Sequence, residues 1–225
     1  MKVNHLYKCY DYLVEAADRA FQKIEEEYGE CVKCEIHCTD CCHAVFGLFL
    51  IEALHLQKHF HRLADEERKA ALLRAEQFDQ QLQALQEKIE KANHSPEGAD
   101  SLLGSERIRC PLLNDEMECI LYPYRPITCR VYGIPSSIQG RARVCGQSGF
   151  QAGRPYPTFK LDEINRELYL LSRKLFQEAG RSDLDSASLL LSISEVIRTP
   201  LDIHTFPRAS DASSPTVCVA NSPES

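Results

Sequence analysis

Apolar residues recur along much of this chain at spacings of three and four, the period of an amphipathic helix. Leu6, Tyr10, Leu13, Ala17, Ala20, Ile24 and Tyr28 form one stripe over residues 4–28, and Gly29 is a natural stop. Ala44 to His61 predicts a second helix whose broad apolar face implies burial on more than one side. Ala71, Ala75, Phe78, Leu82, Leu85 and Ile89 alternate steps of four and three. That heptad stripe predicts a third helix over 65–92, projecting from the body or mediating self-association. Leu161, Ile164, Leu168, Leu171 and Leu175 predict a fourth over 161–179, closed by Gly180, and 185–198 a fifth that stops before Pro200.

The stretches between are of another kind. Residues 93–105 (NHSPEGADSLLGS) read as a turn-rich linker. From Arg107 to Thr158 no long period survives, Pro and Gly interrupt repeatedly, and short strands are expected near Glu118–Tyr122. Residues 205–225, rich in Ser, Pro and Ala, are expected to be a disordered tail.

A length of 225 residues allows one substantial core, and 44% hydrophobic with 26% charged residues is ordinary for a globular protein. A net charge of −7 argues against nucleic acid or an anionic membrane as partner. The charge is uneven, because Arg107–Arg154 holds seven Arg and no Lys against Asp115, Glu116 and Glu118. Acids at Asp11, Glu15 and Asp18 break any signal-peptide pattern, and the longest apolar run, Ala44–Ile51, is too short to span a bilayer. A cytoplasmic location is therefore expected. There thiols stay reduced, so the eleven cysteines read as metal ligands or catalytic thiols rather than as disulfides.

The cysteines fall into two groups. The first, CVKCEIHCTDCC, holds Cys31, Cys34, Cys38, Cys41 and Cys42; the second is Cys110, Cys119, Cys129 and Cys145. Thiolates suit zinc and iron–sulfur centres, and a tetrahedral site needs four. Cys34, Cys38 and Cys41 stand at i, i+4 and i+7, so a helical turn would put them on one face. Adjacent Cys41 and Cys42 diverge on a regular backbone, which suits two metals or two parts of one cluster better than one ion. Loops as poor in apolar period as 107–158 need something to order them, and a metal supplies it. Arg125 and Arg130 flank Cys129 and are candidates to neutralise an anionic thiolate centre from outside its ligand shell. Arg141 and Arg143 are candidates to grip an anionic ligand. Cys9 and Cys218 read as incidental thiols.

The run C-x3-C-x2-C-C at Cys34–Cys42, followed by CPLL…ECILYPYRPITCRVYG at Cys110–Gly133, resembles the YkgJ-type cysteine-cluster family. That family is described as zinc- or iron-chelating and includes the flagellin lysine methylase group. The resemblance implies Cys34, Cys38, Cys41, Cys42, Cys110, Cys119, Cys129 and Cys145 as metal-binding positions, with Cys31 an additional candidate. It also implies, as an alternative, S-adenosylmethionine-dependent methyl transfer to protein lysines. The chain has no glycine-rich strand-to-helix fingerprint for that cofactor.

Cys34, Cys38 and Cys41 also satisfy the spacing of radical S-adenosylmethionine enzymes, but Asp40 precedes the last cysteine and no alternating βα units follow. His37 and His43 could join the first group. His55 and His59, one helical turn apart, read first as a solvated face, and Tyr122, Tyr124 and Tyr132 as packing and hydrogen-bonding residues. The expected fold class is mainly α: a helical scaffold carrying an irregular, cysteine-rich, metal-binding loop layer. Residues 1–204 form one domain, with metal-binding segments 31–42 and 107–158. The expected function is metal binding through both groups, an iron–sulfur cluster preferred over zinc, serving redox or metal handling. A purely structural zinc site is a further alternative, and a protein substrate or self-association a further partner class.

Overall fold

The computed structural model describes residues 3–91, 106–138, 140–151 and 153–211. In chain order its helices are α1 (Asn4–Tyr28), α2 (Leu50–Phe60), α3 (Asp65–Lys91), the single turn α4 (Ile127–Arg130), α5 (Leu161–Glu178) and α6 (Ile193–Arg198). A small sheet is built from β1 (Ser136–Ile138), β2 (Arg141–Arg143) and β3 (Phe159–Lys160), in the order β2-β1-β3. β1 runs antiparallel to β2, pairing Ser136 with Arg143, and parallel to β3, pairing Ser136 with Phe159. The fold is mainly α. Among the described residues, no helix is long and apolar enough to cross a membrane.

The predicted stripes are the buried ones. α1 buries Leu6, Tyr10, Ala17 and Ile24 against α5, and α5 returns Leu161, Leu168, Leu171, Leu175 and Phe176. Full burial of side chains of this size stabilises by about 1.5–3 kcal/mol each. α2 lies at the centre, touching α1, α5 and α6. It buries Leu50, Ile51, Ala53, Leu56 and Phe60 around most of its circumference, as its broad apolar face implied. α3 opens with Asp65, Glu66 and Glu67 and closes with Lys88 and Lys91, charges that oppose the helix dipole at each end. Its heptad stripe is covered by the chain itself. Ala71 and Ala75 pack with Ile193, Val196 and Ile197 of α6, and Phe78, Leu82 and Leu85 with Ile108.

Where prediction and structure differ, backbone pairing is the reason. α2 begins at Leu50 and not Ala44, because residues 44–49 run extended and Leu48 exchanges two backbone hydrogen bonds with Leu191 (2.8 and 2.9 Å). Gly47 permits that approach, since a Cβ there would lie 2.6 Å from Cβ of Leu190. The same bridge splits the expected fifth helix into a 3-10 turn, Leu184–Ser188, and α6. α6 starts behind a capping box in which Ser192 Oγ accepts from Glu195 N–H and the Glu195 carboxylate accepts from Ser192 N–H. The strands expected near Glu118–Tyr122 reduce to one bridge, Leu113 to Cys119, and the sheet forms later in the chain.

α5 ends in a Schellman turn at Gly180 (φ 75°), with Gly180 N–H donating to Gln177 and Arg181 N–H to Phe176. Arg181 then donates through Nη1 to the carbonyls of Ile203 (2.7 Å) and Phe206 (2.8 Å), and Phe206 is buried against Phe176. Order thus extends through the first residues of the segment expected to be a tail; the expectation for 212–225, Cys218 included, lies outside the described residues. The 93–105 linker also lies outside them.

Gln57 ties α2 to the end of α6. Its Nε2 donates to the carbonyls of Val196 (2.6 Å) and Thr199 (2.7 Å), and its Oε1 accepts from Leu201 N–H (3.0 Å). Gln57→Leu keeps the volume and strands three backbone groups. We expect a loss of about 2–4 kcal/mol in denaturant unfolding, measured at fixed metal loading.

Candidate metal centre

The first cysteine group folds as a loop followed by one tight turn. His37 takes a left-handed conformation (φ 69°), Cys38 N–H closes back on the Glu35 carbonyl (3.0 Å), and Asp40–His43 forms a 3-10 turn. Cys34, Cys38 and Cys41 therefore do not share the face of a regular helix, as the i, i+4, i+7 spacing suggested. The divergence expected of Cys41 and Cys42 is also absent, for in the 3-10 turn their sulfurs lie 4.0 Å apart. The segment before Cys110 runs alongside this turn. Ile108 N–H donates to the His43 carbonyl (3.1 Å) and Cys110 N–H to the Cys42 carbonyl (2.7 Å). That pairing carries the second cysteine group onto the first.

The result is one interior cavity walled by Cys41, Cys42, Cys110, Cys119 and Cys129, with Arg125 and the apolar side chains of Phe46, Leu56 and Phe78. Cys41 is the hub. Hydrogen bonds from the Cys129 and Cys42 thiols, aided by the nearby Arg125 charge, hold its thiol well below the ordinary range. The same bonds hold the protons on the two donors, so Cys42 and Cys129 are raised. Burial pushes Cys110 up to about 12 and Cys119 to about 11. Among the described residues no three His, Cys, Asp or Glu side chains are already converged on one ion position. The thiols share a cavity wall without forming a closed coordination shell.

The remaining candidates sit around this wall. Cys34 is exposed, its sulfur packed on Gly133 so closely that a Cβ there would come within 2.1 Å. Cys38 is exposed and faces an open polar groove bordered by Asp40, His43 and Arg107. Cys145 is buried on the far side of Asp40, donating to its Oδ2 (3.0 Å), and burial with this bond raises it to about 12. Cys31 stands apart, its carbonyl accepting from Gly149 N–H (2.8 Å). Cys9 is exposed on α1.

The two arginines have different tasks. Arg125 lines the cavity with its guanidinium 3.7 Å over the Tyr122 ring, and its Nε is buried without a hydrogen-bond partner. Arg130, expected beside the thiolates, is a structural clamp. Its Nη1 pairs with Asp18 of α1 (2.8 Å), its Nε donates to the Arg125 carbonyl (2.8 Å), and its Nη2 donates to the Pro123 carbonyl. Tyr132 accepts from Arg107 (3.3 Å), and Arg107 also pairs with Asp40. His43 donates through Nδ1 to the Thr39 carbonyl (2.9 Å), and His37 lies 4.0 Å from Glu118. His55 and His59 are not a free solvated face. They stack in series with Tyr10 and Tyr124, and burial pulls His55 down to about 4. Arg141 and Arg143 lie on exposed β2 and are not among the residues that line the cavity.

Two positions that hold the site together were not singled out from sequence as candidates. Glu52, 3% exposed, accepts the Ile127 N–H (3.0 Å) at the start of the turn that carries Cys129, and burial raises it to about 7. Asp40 joins Cys145 to Arg107. An acid inside an otherwise apolar helix face was the available signal for Glu52, since such a charge needs a buried partner. For Asp40 the signal was its place within the cysteine run.

A family model whose description is "Putative zinc- or iron-chelating domain", the CxxCxxCC family, matches residues 30–146, just over half of the chain. No curated protein and no solved structure gives a significant match.

The raised thiols set a pH dependence. An unfolded cysteine deprotonates near 9.0, whereas folded Cys110, Cys119 and Cys145 hold their protons to about 11–12. Between these limits the unfolded chain binds fewer protons, so the stability these groups add to the metal-free protein is full below pH 9 and lost as pH rises. Metal-bound thiolates carry no such protons. Urea midpoints of chelator-treated, reduced protein should therefore fall from about pH 8 to about pH 10.5, and those of metal-loaded protein should hold or rise.

Proposed function

The chain belongs to the CxxCxxCC family of zinc- or iron-chelating domains, and on that premise we propose that it holds an iron–sulfur cluster between its two cysteine groups. Cys41, Cys42, Cys110, Cys119 and Cys129 supply the thiolates. The observation that carries this reading is the composition of one cavity wall, which has five thiols and an arginine whose buried Nε lacks an acceptor. Buried N–H groups are almost always paired, so Arg125 calls for an anion in that cavity. A thiolate-ligated centre is one. Five thiols exceed the four that a tetrahedral zinc ion takes, and this favours a centre of more than one metal atom. Such a cluster supplies a site for one-electron transfer or metal handling.

The chain's own residues prepare the wall. Cys41 is the thiol that gives up its proton first, with Cys42 and Cys129 holding theirs against it. Glu52 and Arg130 pin the turn that carries Cys129 to α2 and α1, and Phe46, Leu56 and Phe78 keep water from the sulfurs. Of the seven arginines in the Arg107–Arg154 segment, Arg125 lines the wall, where its charge offsets that of the thiolates.

Anaerobically purified protein should be brown, with sulfur-to-iron charge-transfer absorbance and matching iron and acid-labile sulfide. A colourless protein with stoichiometric zinc would replace the cluster by zinc in the same wall. Cys129→Ser should lose the metal, while Cys31→Ser should keep full metal content. Arg125→Met should keep the stoichiometry and weaken retention against a chelator by about tenfold, the usual effect of removing a partner just outside the ligand shell.

A further inference from the structure

α2 carries two histidines that the thiol centre does not use. His55 and His59 stand one turn apart on it, both half-buried, and neither lines the cavity. Residues four apart on a helix share a face, and these two ring centres lie 4.7 Å apart. Aromatic rings hold both in place. Tyr10 of α1, fully buried, lies 5.0 Å from the His55 ring, and Tyr124 stacks on His59 at 3.5 Å with the planes 12° apart. A histidine nitrogen binds a metal in the plane of its ring, so packing on a ring face fixes the donor without blocking it. Among the described residues neither imidazole makes a hydrogen bond or an ion pair, and no nitrogen of either is buried without a partner. The unused donors therefore open to solvent. Burial and the neighbouring His59 pull His55 down to about 4, and burial lowers His59 as well. The neutral imidazole is the form that ligates a metal.

We propose that His55 and His59 form a second metal site, a two-histidine chelate for one exchangeable divalent ion of the zinc, copper and nickel type. Imidazole suits those ions. Two nitrogens on one ion lie roughly 3 Å apart, given metal–nitrogen bonds of about 2.0–2.1 Å. Rings 4.7 Å apart meet that spacing with a small rotation. No third His, Cys, Asp or Glu completes a cage among the described residues, so water fills the remaining positions and the ion exchanges readily. Binding replaces two metal-bound waters by two imidazoles, releases no proton and leaves the ion's charge unchanged. The site is separate from the thiol wall and does not depend on what that wall holds.

Nickel(II) added to the protein as purified tests this by proton NMR of the histidine rings. The paramagnetic ion should broaden the His55 and His59 signals together, at concentrations that leave the exposed single histidines His5, His61 and His204 unchanged. His59→Gln should weaken the response at His55 by at least about tenfold, because the second donor of a chelate binds intramolecularly. His61→Gln should leave it as in wild type. The proposal is overturned if His5 or His61 broadens at the same nickel concentrations, or if His59→Gln leaves the His55 response intact. Either result reduces the pair to ordinary surface histidines. Metal held by the thiol wall, measured before and after, should stay constant; a His55 response that tracks its loss would place nickel at the sulfurs and sink the proposal too.

Discussion

Two backbone hydrogen bonds hold the centre of this protein together: Ile108 to His43 and Cys110 to Cys42. They lay the segment before Cys110 along the 3-10 turn of the first cysteine group, and every later thiol of the cavity follows from that placement. Leu113 and Cys119 close a bridge next to it, and the chain then passes through Tyr122–Tyr124 to the short turn bearing Cys129. Loop closure over so long a stretch costs entropy that a few loop contacts repay poorly. The helices supply what is missing.

Their contribution is anchoring as much as bulk. α2 presents Glu52 to the Ile127 N–H and α1 presents Asp18 to Arg130, so the Cys129 turn is gripped from two helices at once. Burying a carboxylate as Glu52 is buried is expensive, and its two backbone donors, Ile127 and Phe49, lower that cost. The scaffold thus gives up some stability to fix a loop. A thiol wall needs that trade, because crowding sulfurs around a cavity gains little until a metal neutralises them.

The wall also divides labour among chemically identical side chains. Cys41 has two thiol donors and a nearby arginine, Cys110 and Cys119 are raised first by burial while the backbone N–H groups of Leu112 and Leu121 pull the other way, and Cys145 faces the Asp40 carboxylate. Environment gives each cysteine a different readiness to lose its proton, and so a different part in taking up or holding a metal.

The helices of this chain were legible because their apolar period is local: most residues of the stripes of α1, α3 and α5 end up buried, and Leu13, Ala20, Tyr28, Ile89 and Ile164 half-buried at their edges. The chemistry of the site was legible too, since many clustered thiols in one chain have few uses other than metal binding. What the tertiary structure alone decided was geometry set by distant partners. The pairing of Leu48 with Leu191 cut two expected helices short, and the 3-10 turn brought Cys41 and Cys42 together where a regular backbone would part them. Arg130 turned to Asp18, while Arg125 stayed with the thiols. Amphipathic period is a property of neighbours in the chain, and the sequence determines it by itself. Which sulfur faces the cavity and which the solvent depends on backbone bonds between segments far apart, and no spacing encodes those.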